Sequence, residues 1–501
     1  MRSTTNIRIW LLILVVCLVA GLLVYTRAKL PTIPSRPESL KFPPLDYSPP
    51  KASAYRQVLS NGAIGFFVED HDFPLVNISI VIPGLTHLDP AGKEGLAAAT
   101  ANQMRAGGTA HFKADAFDEE VDFLAAEMSS SMGDLYGSAS VNFMAKDRAR
   151  ALELFFDMLR NPAFQQDRLD LYKSQMIQSM ERRNDSTDAI EDREWNRLLR
   201  GDKHFTNAFS TKASITSLTR EDLIQLYRKY YHPNNFILAV SGDFKTEEMK
   251  AFLEKKMDGW EAGAVPSKIP KPDFTPKPGV YLVNKPDVNQ TRVSIGELGI
   301  LRGNPDEFAV DMMNEILGGS GFTSRIISRV RSDEGLAYNA GSIFYPGVFY
   351  KGTFRALFQS KNPTAAEAAQ IVLDEIARIR DTKVSQEELE TVKNQAIEAF
   401  SRIFASPRAI ATTFARDEYT KRDPKYWETY RDKIRAVTVE DVQRVALKYL
   451  HPDKLVILAV GNVDEIMRGN PDKPEYSFKK MEGGSITRIP LPDPLTMIYP
   501  K

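Results

Sequence analysis

The chain has 501 residues, 43% of them hydrophobic and 26% charged, so it is too long for one ordinary core and too apolar to be disordered. Lys plus Arg equals Asp plus Glu at 65 each, and no basic stripe interleaves with aromatics, which excludes a nucleic-acid surface built on net charge. The single cysteine, Cys17, sits in an N-terminal apolar run, so the folded part has no internal disulfide and no thiolate cluster.

That run, Ile9 to Tyr25, is uncharged and follows Arg2 and Arg8. It is near the lower limit of the roughly 17 to 25 residues that cross a bilayer. No small-x-small cleavage site follows it, so residues 1–29 read as an uncleaved membrane anchor rather than a removed signal. Arg27 and Lys29 on its far side leave the orientation open, and the folded part is expected to be periplasmic or extracytoplasmic. Residues 30–54 carry seven prolines, a composition that keeps a tether extended.

In "LVNISIVIP" Val76, Ile78, Ile80 and Ile82 alternate, which predicts a half-buried strand. An alanine-rich helix follows in "GLAAATANQMRAGGT", residues 95–109, with the composition of a good helix former and no reactive side chain. Further on, "MERRND" ends a helix at Glu181, and "GDKHFTN" holds His204. Six histidines occur in all, at 71, 87, 111, 204, 232 and 451, and no two are one helical turn apart.

A second proline-rich stretch at 262–279 divides the remainder, and self-similarity gives the same division. "LTREDLIQLYRKYYHPNNFILAVSGD" from Leu218 matches "VTVEDVQRVALKYLHPDKLVILAVGN" from Val437 at a constant offset. In each copy a threonine, Thr219 or Thr438, caps a helix whose first turn is acidic. The proline after His232 or His451 ends that helix, and an apolar run follows as a buried strand. Two homologous domains, 55–261 and 280–468, are expected. Each is α+β, with helices covering one face of a mostly antiparallel sheet. The tail 469–501 is too rich in proline for helix or central strand, and it lies along a partner or along the domain surface.

In the second half, "NPDEFAVDMMNEILGG" predicts a helix with Phe308, Met312 and Ile316 on one stripe, closed by Gly318 and Gly319. "LGGSGFTSR", Leu317 to Arg325, is either a flexible corner beside a sheet edge or a plain helix-to-helix turn. "FTSRIISRVRSDEGLAY" then predicts a helix with Phe322, Ile326 and Val330 inward, a reversal at Gly335 and a strand from Tyr338. Arg331 and Tyr338 are seven apart. By residue type alone the arginine complements a helix C-terminus and the tyrosine packs in a core.

Taken together, "PGLTHLDPAGKEGLAAATANQMRAGGT", the two homologous halves and "VRSDEGLAY" resemble the pitrilysin-like zinc metallopeptidases. That inverzincin family includes insulin-degrading enzyme, the mitochondrial processing peptidase and bacterial two-domain members. The resemblance spans about Val58 to Asp464. In active members it implies H-x-x-E-H on the helix, two histidines holding zinc and a glutamate activating water. Here the positions hold Ala98, Ala101 and Asn102, or Ala99, Asn102 and Gln103 in a register shifted by one. Neither register supplies an imidazole or a carboxylate, and Glu181 is a poor distal ligand. The resemblance also implies that an arginine and a tyrosine spaced like Arg331 and Tyr338 bind the substrate backbone near the scissile carbonyl, as two strong donors can.

The expectation is therefore the zinc-lacking subunit of a heteromeric zinc-dependent endopeptidase. Such a subunit has no cofactor of its own, binds an extended peptide, and supplies Arg331 and Tyr338 to a homologous partner that carries the zinc. A structural or peptide-binding member without peptidase role, like the core proteins of respiratory complexes, is the alternative. A self-sufficient zinc endopeptidase is the third reading, and the histidine spacing argues against it.

Overall fold

The computed structural model describes residues 40, 47–481 and 486–500. The apolar run Ile9 to Tyr25, Cys17 and most of the proline-rich tether lie outside the described residues. Among the described residues, no helix is long and apolar enough to cross a membrane. Chain contacts separate Met1–Tyr47 from Ser48–Lys501, and both sheets belong to the second unit.

The first sheet contains β1 (Arg56–Val58), β2 (Ile64–Glu69), β3 (Leu75–Pro83), β4 (Glu127–Met132), β5 (Tyr136–Met144) and β6 (Ile237–Gly242), in the order β1-β2-β6-β3-β5-β4. The second contains β7 (Gly279–Asn284), β8 (Gln290–Leu298), β9 (Ala337–Tyr345), β10 (Thr353–Lys361), β11 (Val456–Gly461) and β12 (Ile486–Ile489), in the order β12-β7-β11-β8-β10-β9. Five strands correspond one for one, whereas the remaining edge strands differ, β1 running antiparallel to β2 and β12 parallel to β7. β2 runs parallel to β6 as β7 does to β11, and β4 and β9 are matching edges. The fold is α+β with two six-stranded sheets, consistent with two related domains.

The predicted strand is β3, with Val76, Ile78, Ile80 and Ile82 all buried in the first core. Both copies of the internal repeat form the same local structure. Thr219 caps the helix Arg220–Tyr230 by accepting the Asp222 N–H, and the Asp222 carboxylate accepts the Thr219 N–H in return. Thr438 and Asp441 do the same for Val439–Tyr449. Each capping box satisfies two backbone donors that a bare helix end leaves unpaired. The strands that follow, β6 and β11, run through the middle of their sheets.

The expectation that helices cover one face of each sheet needs correction, because the other face is covered too, and by the other half of the chain. Helix α1, Thr187–Arg200, packs on β11 and β8 of the second sheet. Helix α2, Pro407–Thr420, packs on β6, β2 and β3 of the first. Ile190, Trp195 and Leu199 of α1 join Val456, Leu458 and Val460 in one buried cluster, which is why every residue of β11 is buried. From α2, Phe414 stacks near Phe66 and Tyr55 at 5.9 and 6.1 Å between ring centroids, and Ala411 and Ala415 let the helix approach closely.

A buried ion network fixes α1 in register. Glu191 is 1% exposed and takes Arg292 Nε at 2.6 Å and Arg355 Nη2 at 3.2 Å, with the Ser294 hydroxyl donating to it as well. Arg355 also donates to Ser294 Oγ at 2.7 Å and to Asp192 at 2.7 Å.

The tail forms the edge strand β12 and then runs along the chain's own first half. Its carbonyls at Pro492, Pro494 and Leu495 accept from Asn184, Arg183 and the Lys212 N–H, and Tyr499 donates to Glu194 at 2.7 Å.

Removing one member of a buried, hydrogen-bonded ion group leaves uncompensated charge behind and costs about 3 to 5 kcal/mol. Glu191→Ala strands Arg292 and Arg355, so it should lower the unfolding free energy by that amount in urea titration. Asp192→Ala, in which an exposed carboxylate is lost, should change it by less than about 1 kcal/mol.

Candidate functional site

The alanine-rich stretch folds as a helix, Leu96–Ala106, packed against β4. Gly95 begins it at φ 101°, a left-handed conformation that favours glycine. The side chain that organises this end is Asp89, which sequence reasoning missed. Its two carboxylate oxygens accept the N–H groups of Gly95 and Ala97 at 2.8 Å each. Burial pushes Asp89 up to about 6 even so. The residue lies six positions before the helix start, outside the usual cap window, which hid the signal.

On this helix Ala98 is half-buried, Ala101 is buried and Asn102 is exposed. In the shifted register Ala99 and Gln103 are buried, and Gln103 Nε2 donates to Asn102 Oδ1 at 3.0 Å. Glu181 is exposed at the end of Gln166–Glu181. Among the described residues, no three His, Cys, Asp or Glu side chains converge in a way that could hold a metal ion. The histidines have structural partners. His204 is buried between Thr206 Oγ1 at 2.8 Å and the Pro270 carbonyl at 3.4 Å. His232 meets the carbonyls of Arg228 and Glu261, and His451 meets Glu297. His71 lies 2.6 Å from Asp243, His111 lies 2.6 Å from Asp157, and His87 meets Ser267.

In the second half the structure brings Arg331 and Tyr338 together. The predicted helix at 308–316 spans Glu307–Asn314 and widens into a π-helical turn at Glu315–Gly319, with Met312 and Ile316 buried. Gly318 is forced by packing, since a Cβ there would lie 2.4 Å from the Ser342 N of β9. Ile326 and Val330 are wholly buried as expected. Phe322 is a correction. It falls in a separate 3-10 turn, Gly321–Thr323, before the helix begins at Arg325, and is 68% exposed.

Its ring is used on the surface. The Arg331 guanidinium carbon lies 4.6 Å from the Phe322 ring centroid and 4.5 Å from that of Tyr338. Gly335, at φ 62°, makes the reversal, and Tyr338 emerges on β9 with 83% exposure. No hydrogen bond within the described residues occupies the Arg331 guanidinium or the Tyr338 hydroxyl. β9 pairs with no strand but β10, and on its backbone the Ser342 carbonyl accepts from Asn314 while the stretch beside Tyr338 has no second strand. Two unused strong donors next to an unpaired strand edge can hold an extended peptide by its carbonyls.

Residues 217–396 match the family described as Peptidase M16 inactive domain. A curated relative in Rickettsia bellii, an uncharacterized zinc protease, is 23% identical over 66% of this chain and 80% of its own. One in Helicobacter pylori, named a non-peptidase homolog, is 24% identical over 65% of this chain and 75% of its own. The crystal structure of a peptidase M16 inactive domain from Pseudomonas fluorescens matches with a TM-score of 0.73 at 26% identity, over 81% of this chain and 97% of that one. These matches support a member of the M16 peptidase family that lacks the zinc motif. The alanine-rich helix Leu96–Ala106 is a packed element whose first N–H groups are capped by Asp89.

The corner is tied down by Arg325, which makes two hydrogen bonds to the Glu388 carboxylate at 2.7 and 3.0 Å. Burial alone would raise Glu388, but Arg325 and the Ser385 N–H outweigh it and hold the carboxyl down to about 2, against 4.5 when unperturbed. A depressed folded value means that this pair's stabilisation is complete above pH 4.5 and is lost as pH falls toward 2. Melting curves over that window should therefore fall less steeply for Glu388→Gln than for the unaltered chain.

Proposed function

We propose that this M16 chain is the zinc-lacking subunit of a heteromeric, zinc-dependent endopeptidase, with 55–261 and 280–468 as its two peptidase-like domains. It binds an extended substrate peptide by strand addition. Arg331 and Tyr338 donate to the substrate carbonyl in a site completed by a zinc-bearing homologous subunit. The observation that carries this reading is the asymmetry within one chain. The expected zinc helix keeps its fold without a ligand, whereas Arg331, half-buried, and Tyr338, exposed, stand together without hydrogen-bond partners beside the edge strand β9. Had both features decayed, nothing would hold two costly exposed aromatics and a guanidinium in register. The N-terminal apolar segment would tether the assembly, with the folded part outside the cytoplasm.

A second reading, a peptide-binding or structural member with no peptidase role, is supported by the name of the Helicobacter pylori relative, which is called a non-peptidase homolog.

The deciding experiment is cleavage of a quenched peptide library by the full chain, alone and with a zinc-bearing M16 homologue, with and without chelator. The chain alone should be silent and contain substoichiometric zinc by elemental analysis. Chelator-sensitive turnover should appear with the partner, and Tyr338→Phe should lower kcat by roughly a hundredfold, the scale for losing one transition-state donor. Turnover by the chain alone would overturn the paired reading. Full activity of the Tyr338→Phe and Arg331→Gln complexes would favour the structural one.

A further inference from the structure

A cavity of about 260 Å³ opens in the second half, away from the Arg331 corner. It lies between the helix Glu307–Asn314, the end of β9, and the helix Tyr426–Ala436. Its volume suits an occupant smaller than a drug-sized molecule. Phe308, Phe344, Tyr426 and Tyr430 give it apolar walls.

The charges around it are unbalanced at both ends. At one end Arg302 and Arg422 lie beside Asp417, and Glu307 is a second carboxylate near Arg302. Asp417 takes Arg422 Nε at 2.7 Å and the Trp427 indole N–H at 2.6 Å. Arg422 Nη1 is buried and has no hydrogen-bond partner. Arg302 donates only to Thr420 Oγ1, at 3.1 Å, and burial together with the charge of Arg422 weakens its hold on its proton. At the other end Asp311 accepts no hydrogen bond and makes no ion pair among the described residues. Burial, with Glu315 and Glu307 beside it, pushes its carboxyl up to about 7.

A guanidinium N–H and a carboxylate thus line one cavity without pairing with each other. A ligand of either single charge would satisfy one group and strand the other. A molecule carrying both charges satisfies the two together, and the aromatic walls suit an apolar side chain between them. We propose that this cavity binds a small zwitterion, a free amino acid or dipeptide, with its carboxylate on Arg422 and Arg302 and its ammonium on Asp311. The inference does not depend on the proposed peptidase role.

Calorimetric titration of the full chain with alanyl-phenylalanine, its N-acetyl derivative and its C-terminal amide tests this. The zwitterion should bind saturably at one per chain, and each singly charged analogue about tenfold or more weaker, the scale for losing one charged hydrogen bond. Asp311→Asn should bring the zwitterion down to the level of the N-acetyl form and leave the N-acetyl form unchanged. Arg422→Gln should bring it down to the level of the amide. Arg302→Gln serves for the same comparison if loss of the Arg422–Asp417 pair unfolds the chain. Equal binding of the three compounds, absence of saturation, or binding unaltered by Asp311→Asn would overturn the assignment.

Discussion

The structure rests on an exchange of helices between its halves. A six-stranded sheet with helices on one face still exposes its other face, and in this chain that face carries apolar residues at Val456, Leu458 and Val460 of the second sheet and at Phe66 and Ala239 of the first, among polar neighbours such as Ser79, Ser140 and Asn142. α1, from the first half, shields β11 and β8, and α2, from the second, shields β6, β2 and β3. Each fully buried aliphatic or aromatic side chain in such a contact is worth about 1.5 to 3 kcal/mol relative to exposure. With Trp195, Ile190 and Leu199 at one contact and Phe414, Ala411 and Ala415 at the other, neither sheet is adequately covered without the opposite half. Glu191 adds specificity. Its carboxylate reaches Arg292, Arg355 and Ser294 only in one register of α1 on the sheet. The tail reinforces the same coupling, crossing from β12 to the first half and ending with Tyr499 on Glu194, itself a residue of α1.

The alanine-rich helix Leu96–Ala106 is held in place by packing. Leu96, Ala97, Ala99, Ala101 and Met104 are buried, so the helix is part of the first core, whatever stands at its ligand positions. Its start is fixed by Asp89 and its flank by β4. Losing the helix would open the core, whereas losing the ligands removes only chemistry. Alanine is the least costly replacement, because it keeps helix propensity and places no polar atom in the packing.

What could be read from the chain, and what could not, follows the range of the interactions. The capping boxes at Thr219 and Thr438, the alternation in β3 and the helix stop before Pro233 and Pro452 are set by neighbours within a few residues, and the pattern displays them. The exchange of α1 and α2 was invisible, since the helix sequences do not say which sheet they cover. β11 gave the one available hint, because an unbroken apolar run means burial on both faces. Phe322 was misplaced by assuming one continuous helix where a 3-10 turn, a short helix and a π-helical turn follow one another. A periodicity of 3.6 puts Phe322 in line with Ile326, and only the break at Ser324 turns it outward. Asp89 was missed because it reaches the helix start through a loop.

The same irregularity accounts for the geometry of the Arg331 corner. Widened turns at Glu315–Gly319 and Ser328–Asp333 shift the facing of later residues relative to an ideal helix, and π-helical turns are often found at functional sites. Here the second of them carries Arg331 on the outside while Val330 stays wholly buried. A regular helix from Phe322 onward would have buried the Phe322 ring and left the guanidinium with Tyr338 alone. With the break, the guanidinium lies between two aromatic faces, which restrict its movement while leaving its N–H groups free at the edge of β9. A donor held this way loses little conformational entropy when a carbonyl arrives, which is the economy expected of a group that binds rather than one that merely packs.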